Sequence, residues 1–309
     1  MTKNRIQILK EKMLSQPRYV SIEQALIITK TYKQHENEPI ILKRAYALAN
    51  ALRELEIGIE NEELIVGNRT KGVRYGVVFP ESGISWVDRE FETISTRKQD
   101  KFLVRDEDIK IFREQIVPYW KGKSLEDVIK QNFGKEISAI NKVVKINQTD
   151  HAQGHICPNV EKWLQKGVSG LLEDAQNHYK NADEDKKNFY QAIIIVMKAV
   201  QNFMLRYHDL LIATAKDDEK NRASLIKVAD ICKNISQRPP QTFHEAVQAT
   251  WFLFVILHME SNASSFSPGR LDKILYPYYI KDIENNILTK DEALEIIECL
   301  WLKFNEIVY

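Results

Sequence analysis

The chain has 309 residues, 44% of them hydrophobic and 28% charged, with a net charge of +1. That composition fits one or two globular domains. It carries no basic excess that would draw nucleic acid or an anionic membrane. The longest apolar run is about eleven residues, short of the roughly 20 that cross a bilayer. Three separated cysteines, Cys157, Cys232 and Cys299, point to reduced thiols in a cytoplasmic protein and give no CxxC metal or cluster pair.

In chain order the first elements read as helices. Ile6, Leu9, Met13 and Leu14 mark one apolar face. Ser21 to Gln24 has a capping-box pattern opening a helix that runs through His35. Pro39 starts another, with Ile41, Leu42, Ala45, Leu48 and Leu52 at helical spacing. Leu64 to Gly67 has the apolar, β-branched character of a buried strand ended by glycine. Asn68 to Gly83, with Arg69, Lys71 and Arg74, reads as a cationic loop. It either lies on the surface or folds over a site to meet an anionic or polar ligand. Helices follow at 106–120, 124–131 and 159–175. A helical hairpin is expected from Glu184 to Ala215 and Glu219 to Ser236, turning at Asp217-Asp218.

The segment from Phe243 to Tyr279 organises the rest. Thr242 caps a rod that is apolar on every side and must therefore be buried on every side. Glu260-Ser-Asn-Ala-Ser-Ser265 ends it, and Ser267-Pro-Gly-Arg270 follows. A string of buried polar groups at the end of a core rod is either a satisfied network or the floor of a binding site. Arg270 and Asp272 are expected as a buried ion pair. Tyr276, Tyr278 and Tyr279 are expected as packing. A Thr289/Glu292 capping box opens the last helix, whose apolar face is Ala293, Ile296, Ile297, Leu300 and Phe304. The apolar stop at Ile307-Val-Tyr309 reads as a chain cut before its next element.

His155 is the leading chemical candidate, a hydrogen-bond donor and proton partner after the permissive Gly154. His151 gives it an HxxxH partner, but Gly154 disfavours a helix there and no third ligand is adjacent, so no metal site is expected. Ser265 and Asn262 can bind hydroxyls; the bland reading of the serines is helix-end capping. Glu260 is expected either paired or with a raised pKa.

Glu-Ser-Asn-Ala-Ser-Ser-Phe-Ser-Pro-Gly-Arg-Leu-Asp (260–272) and the terminal ILTKDEALEIIECLWLKFN resemble the glycyl radical enzymes of the pyruvate formate-lyase type. The branch resembled is the B12-independent glycerol and diol dehydratases. Leu64 to Gly67, Thr70, Arg74, Phe79-Pro-Glu81 and Trp86 also follow that family's pattern, as does Gly154-His155 before EKWLQKGVSGL. The resemblance implies a helix-rich α/β fold, the N-terminal half of a barrel built from two half-barrels. It implies His155, Ser265, Asn262 and Arg74 as substrate contacts. It implies a radical lyase, either a dehydratase acting on a small polyol or diol or a formate C-acetyltransferase-like enzyme. It also implies a glycyl radical installed by a radical S-adenosylmethionine activase. The RVSGY-type glycine segment and the GCVE-type cysteine loop do not occur in these 309 residues. The expectation is therefore a domain, residues 1–309, truncated before both loops and inactive alone, with a C-terminal half or a homodimer as partner. The competing expectation is a non-catalytic helical scaffold. Ala263 and Ser264 stand where the branch has glycine and histidine, which weighs against glycerol itself as substrate.

Overall fold

A computed structural model describes residues 4–144, 154–261 and 265–307. Thirteen helices are found among them. They are α1 (Arg5–Ser15), α2 (Glu23–Gln34), α3 (Ile40–Glu54), α4 (Ser85–Glu90), α5 (Asp106–Ile111), α6 (Val117–Trp120), α7 (Leu125–Ile140), α8 (Val160–Lys180), α9 (Glu184–Asp217), α10 (Arg222–Gln237), α11 (Phe243–Glu260), α12 (Leu271–Glu284) and α13 (Lys290–Phe304). The strands are two-residue pieces, β1 (Val20–Ser21) and β2 (Gly76–Val77), paired in parallel with Val20 opposite Gly76. A single π turn, Phe112–Ile116, joins α5 to α6.

Helix α11 runs through the larger of two apolar clusters, which also takes in α3, α8, α9, α10 and α13. The smaller cluster gathers Ile28, Val78, Phe91, Phe102, Phe112 and Trp120. Burying a leucine or phenylalanine side chain is worth about 1.5–3 kcal/mol, so the twin clusters, not helix propensity, set the packing. The α9–α10 hairpin forms as the Asp217-Asp218 turn requires. Helix α8 breaks at Gly167 (φ 62°), where an added Cβ would lie 2.9 Å from the Pro239 backbone. The crossing of that segment over α8 demands glycine.

Several sequence expectations are corrected. Ile65 to Gly67 are buried and Leu64 is half-buried, but the run is no strand, because helix α11 takes the place of a neighbouring ladder. His244 Nε2 meets Leu64 O at 2.7 Å, and Val66 N–H donates to Gln248 Oε1 at 2.9 Å. Gln248 Nε2 donates back to Val66 O at 2.7 Å, and Trp251 Nε1 to Gly67 O at 2.8 Å. The stripe 244, 248, 251 is one face of a helix, so Leu64 O, Val66 N–H, Val66 O and Gly67 O all find side-chain partners. The capping box at Ser21 does not form: Ile22 is the cap, and Gln24 is drawn inward to donate to Met259 O at 3.0 Å. Leu14 faces solvent. Asn68 to Thr70 are buried, so the start of the cationic loop is interior and not surface. Arg270 and Asp272 do pair, at 2.7 and 2.9 Å, but in the open, because the chain leaves the core at Gly269. Tyr276 is likewise exposed. The Thr289/Glu292 capping box forms as expected. All three cysteines are free thiols.

Candidate functional site at the end of α11

The C-terminal end of α11 is held from two sides. Gln24 from α2 takes the Met259 carbonyl, and Arg44 from α3 takes both the Glu260 carbonyl and its carboxylate. Those carbonyls are among the four that a helix end leaves without internal partners. Past the bend, Phe266 is buried and meets the His258 ring edge-on, with centroids 4.6 Å apart. Burial holds the His258 pKa down at about 4, so this imidazole is neutral at physiological pH. Its Nδ1 lies 2.7 Å from Phe254 O.

Ser267 N–H donates to Ile156 O at 2.9 Å. That bond ties the 265–269 segment to the Gly154–Pro158 segment, one residue from His155 and two from Ser265. A Cβ on Gly269 would sit 3.4 Å from Cys157 Sγ, so the segments stay side by side. His155 (φ 57°) and Ser265 (φ 61°) both occupy the left-handed region, and both side chains are exposed. For residues with a Cβ that conformation costs about 1–2 kcal/mol each. Two such residues flanking one inter-segment bond are the kind of stored strain that gathers at ligand sites. The structure thus places His155 and Ser265 on two segments joined by a backbone hydrogen bond. Asn262 and His151 lie outside the described residues.

Arg74 sits elsewhere along the loop. It too is left-handed (φ 60°), and its N–H donates to Glu306 O at 3.1 Å beyond α13. Burial and the charge of Arg18 lower its pKa, and its Nε is buried without a partner. Two features escaped sequence reasoning. Arg69, named only as a loop cation, is buried, and its charge helps depress His258; a cation two residues after a buried apolar run was the available signal. Arg44 shares the stripe of Leu48 and Ala51 on α3, where a cation on an apolar face is the signal. Beside it, burial pushes the Glu81 carboxyl up to about 7, offset in part by its own backbone hydrogen bond and Arg44. Tyr32, Arg44, Glu81 and Glu260 line one small hollow. Among the described residues no group of three or more His, Cys, Asp or Glu is placed to hold a metal ion. None of their helices is long and apolar enough to cross a membrane.

An imidazole and a hydroxyl on two bonded segments can grip a small hydroxylated molecule, but they supply no redox chemistry. The family described as pyruvate formate lyase-like matches residues 1–309. The chain belongs to that family. It is 34% identical over 301 residues to the probable dehydratase YbiW of Escherichia coli (strain K12), covering 93% of this chain and 37% of that protein. To the (2S)-3-sulfopropanediol dehydratase of Klebsiella oxytoca it is 30% identical over 318 residues, 97% of this chain and 38% of the relative. The glycerol-bound B12-independent glycerol dehydratase of Clostridium butyricum superposes with a TM-score of 0.92 at 32% identity, over 99% of this chain and 40% of that one. The pyruvate formate lyase-like chain described here therefore has the N-terminal part of the glycyl radical enzyme fold, as the sequence patterns implied. It spans about two fifths of the length of the curated relatives it matches.

Proposed function

We propose that this chain is the N-terminal, substrate-facing portion of a glycyl radical lyase that removes water from a small polyol or diol. The observation that carries the reading is the Ser267–Ile156 hydrogen bond, which places His155 and Ser265 on adjoining segments. Relatives whose names state the dehydration of a sulfonated diol, of hydroxyproline and of glycerol support the reaction class. Residues 1–309 form part of one pyruvate formate-lyase-type domain. The cysteine and glycine that carry the radical lie outside these 309 residues, and a radical S-adenosylmethionine activase installs it. When present, that radical supplies hydrogen-atom abstraction from the substrate. The residues of this chain bind and orient. Ser265 and Asn262 hold hydroxyls, and His155 holds a proton at the oxygen that departs as water. Arg74, the loop cation with a buried unpaired Nε, is the contact for a charged substrate group. A cytoplasmic location goes with the unpaired thiols.

The test is a fusion of this chain to the remaining portion of the Clostridium butyricum glycerol dehydratase, activated anaerobically and offered 1,2-propanediol, glycerol and 3-sulfopropanediol. His155→Ala and Ser265→Ala are expected to lower kcat/KM at least tenfold for the preferred diol. A diol turnover indifferent to both changes refutes the assignment. The chain alone, incubated with the activase, is expected to give no radical doublet in electron spin resonance.

A further inference from the structure

A groove of about 400 Å³ lies between α10, the first turn of α11 and the turn from α12 to α13. It is remote from the serine-rich bend: His244 precedes Glu260 by sixteen residues along α11, about 24 Å at roughly 1.5 Å per residue. Two side chains in its lining are almost wholly buried, His244 at 5% and Asp282 at 2% exposure. Each engages one polar atom and leaves the other without a partner. Leu64 O can only accept, so its contact with His244 Nε2 at 2.7 Å fixes the proton on that nitrogen. Burial lowers the imidazole pKa to about 4, so the ring is neutral and Nδ1 is a bare acceptor. Asp282 Oδ2 accepts the Phe243 N–H at 2.7 Å, and its Oδ1 is buried with no donor. Buried acceptors ordinarily have donors, and each exception calls for a reason.

We infer that this groove is a binding site for a small primary ammonium with a short aliphatic body. Both free atoms are acceptors, so the ligand must donate. An ammonium brings three donors and no acceptor, and its hydrogen bond to a carboxylate is charge-assisted and stronger than a hydroxyl's. The charges agree. Glu245 is neutralised by Arg238, with bonds of 2.8 and 2.9 Å. That leaves Asp230 and Asp282 against the single Lys227 in the lining. The buried Ile231 and Leu288 supply an apolar wall for the alkyl body. The volume falls within the roughly 300–1,000 Å³ of small-molecule sites. Ile226, Lys227 and Ile287 are exposed. Exposed side chains change rotamer freely, which opens a way to the two acceptors. The site is separate from the diol-binding segments proposed above.

The experiment titrates isobutylammonium into this chain at neutral pH, with its histidines labelled with heavy nitrogen, beside isobutanol and isobutyrate. The His244 Nδ1 resonance, assigned with His244→Gln, should move upfield and saturate, as an acceptor nitrogen does on receiving a hydrogen bond. Isobutylammonium should bind at least about tenfold more tightly than isobutanol, and isobutyrate should not bind. Asp282→Asn keeps an oxygen for the Phe243 N–H but removes the charge, and should weaken ammonium binding at least about tenfold. Lys227→Gln, at an exposed position, should tighten it about twofold by removing a like charge. Circular dichroism confirms that each variant folds; if Asp282→Asn does not, Lys227→Gln and the comparison of the three probes decide. No saturable shift, as when water alone serves both acceptors, would overturn the site. So would equal binding of alcohol and ammonium, or an ammonium affinity indifferent to Lys227→Gln or to a folded Asp282→Asn.

Discussion

Lys303 lies in the interior with its Nζ 2.7 Å from both Glu63 Oε1 and Glu306 Oε2, and the three side chains are 5%, 6% and 8% exposed. Two carboxylates face one ammonium. Burial, countered by Lys303 and reinforced by Glu63, pushes Glu306 up to about 7 from its ordinary 4.5, and the same carboxylates hold Lys303 protonated. The native state thus binds the Glu306 proton more tightly than the unfolded chain. Its contribution to stability is complete below pH 4.5 and is lost as pH rises through about 7. Replacing Lys303 with Met leaves two buried carboxyls facing each other. At pH 8 the unpaired charge should cost about 3–5 kcal/mol, or about 6–10 °C of Tm at roughly 2 °C per kcal/mol for a chain of this size. At pH 5.5, below the raised Glu306 value, that carboxyl takes a proton, one buried negative charge is removed, and the loss should shrink. Thermal unfolding by circular dichroism at the two pH values measures both. A loss equal at pH 8 and 5.5, or below about 1 kcal/mol at pH 8, would show that the triad does not carry the charge assigned to it.

Glu81→Gln should flatten the stability profile between pH 5 and 8. The raised Glu81 carboxyl favours the native state at low pH, and up to about 3 kcal/mol of that is lost as pH rises through about 7; urea titrations at both ends read it. Gly167→Ala should destabilise by at least about 2 kcal/mol, from left-handed strain and a Cβ 2.9 Å from the Pro239 backbone. An unchanged urea midpoint would contradict the kink. Gly67→Ala should lose stability by the same measurement, since its φ is 123° and its Cβ would meet Phe252 Cε1 at 3.0 Å.

Helices were legible wherever period and caps agreed, as with Thr289/Glu292 and the α9–α10 hairpin. Leu64 to Gly67 was misread because burial is what a short apolar, β-branched run encodes most directly. Whether its hydrogen-bonding partners are another strand or the His244, Gln248 and Trp251 side chains depends on residues 180 positions away. Ser21 and Gln24 resembled a capping box, yet Gln24 was required at the end of α11, a tertiary demand that local pattern does not display. His155 and Ser265 were visible as residue types next to glycine or within a polar bend. Their adjacency was not, because one backbone hydrogen bond between positions 156 and 267 creates it. Arg44 and Glu81 were invisible as a pair for the same reason.

The N-terminal helices act on the site through those long-range bonds. Gln24 and Arg44 fix the last two carbonyls of α11, and the bend bearing Ser265 begins one residue later. Arg44→Met removes the clamp on Glu260 and leaves Glu81 with less opposing charge. The Arg44–Glu260 pair is about two-fifths exposed, so its loss should amount to only about 1 kcal/mol. That is small against global stability, yet it falls on one segment. Amide exchange of Phe266 and Ser267 should therefore quicken about fivefold, while Tm moves by no more than about 2 °C. Lys at position 44 retains the charge but cannot reach the carbonyl and carboxylate in the same fork, so Arg44→Lys should quicken exchange nearly as much. If exchange at Phe266 and Ser267 stays at the wild-type rate in both variants, the segment is held by the Ser267–Ile156 bond, the Gln24 bond and Phe266 packing on His258, and α3 has no part in shaping the site.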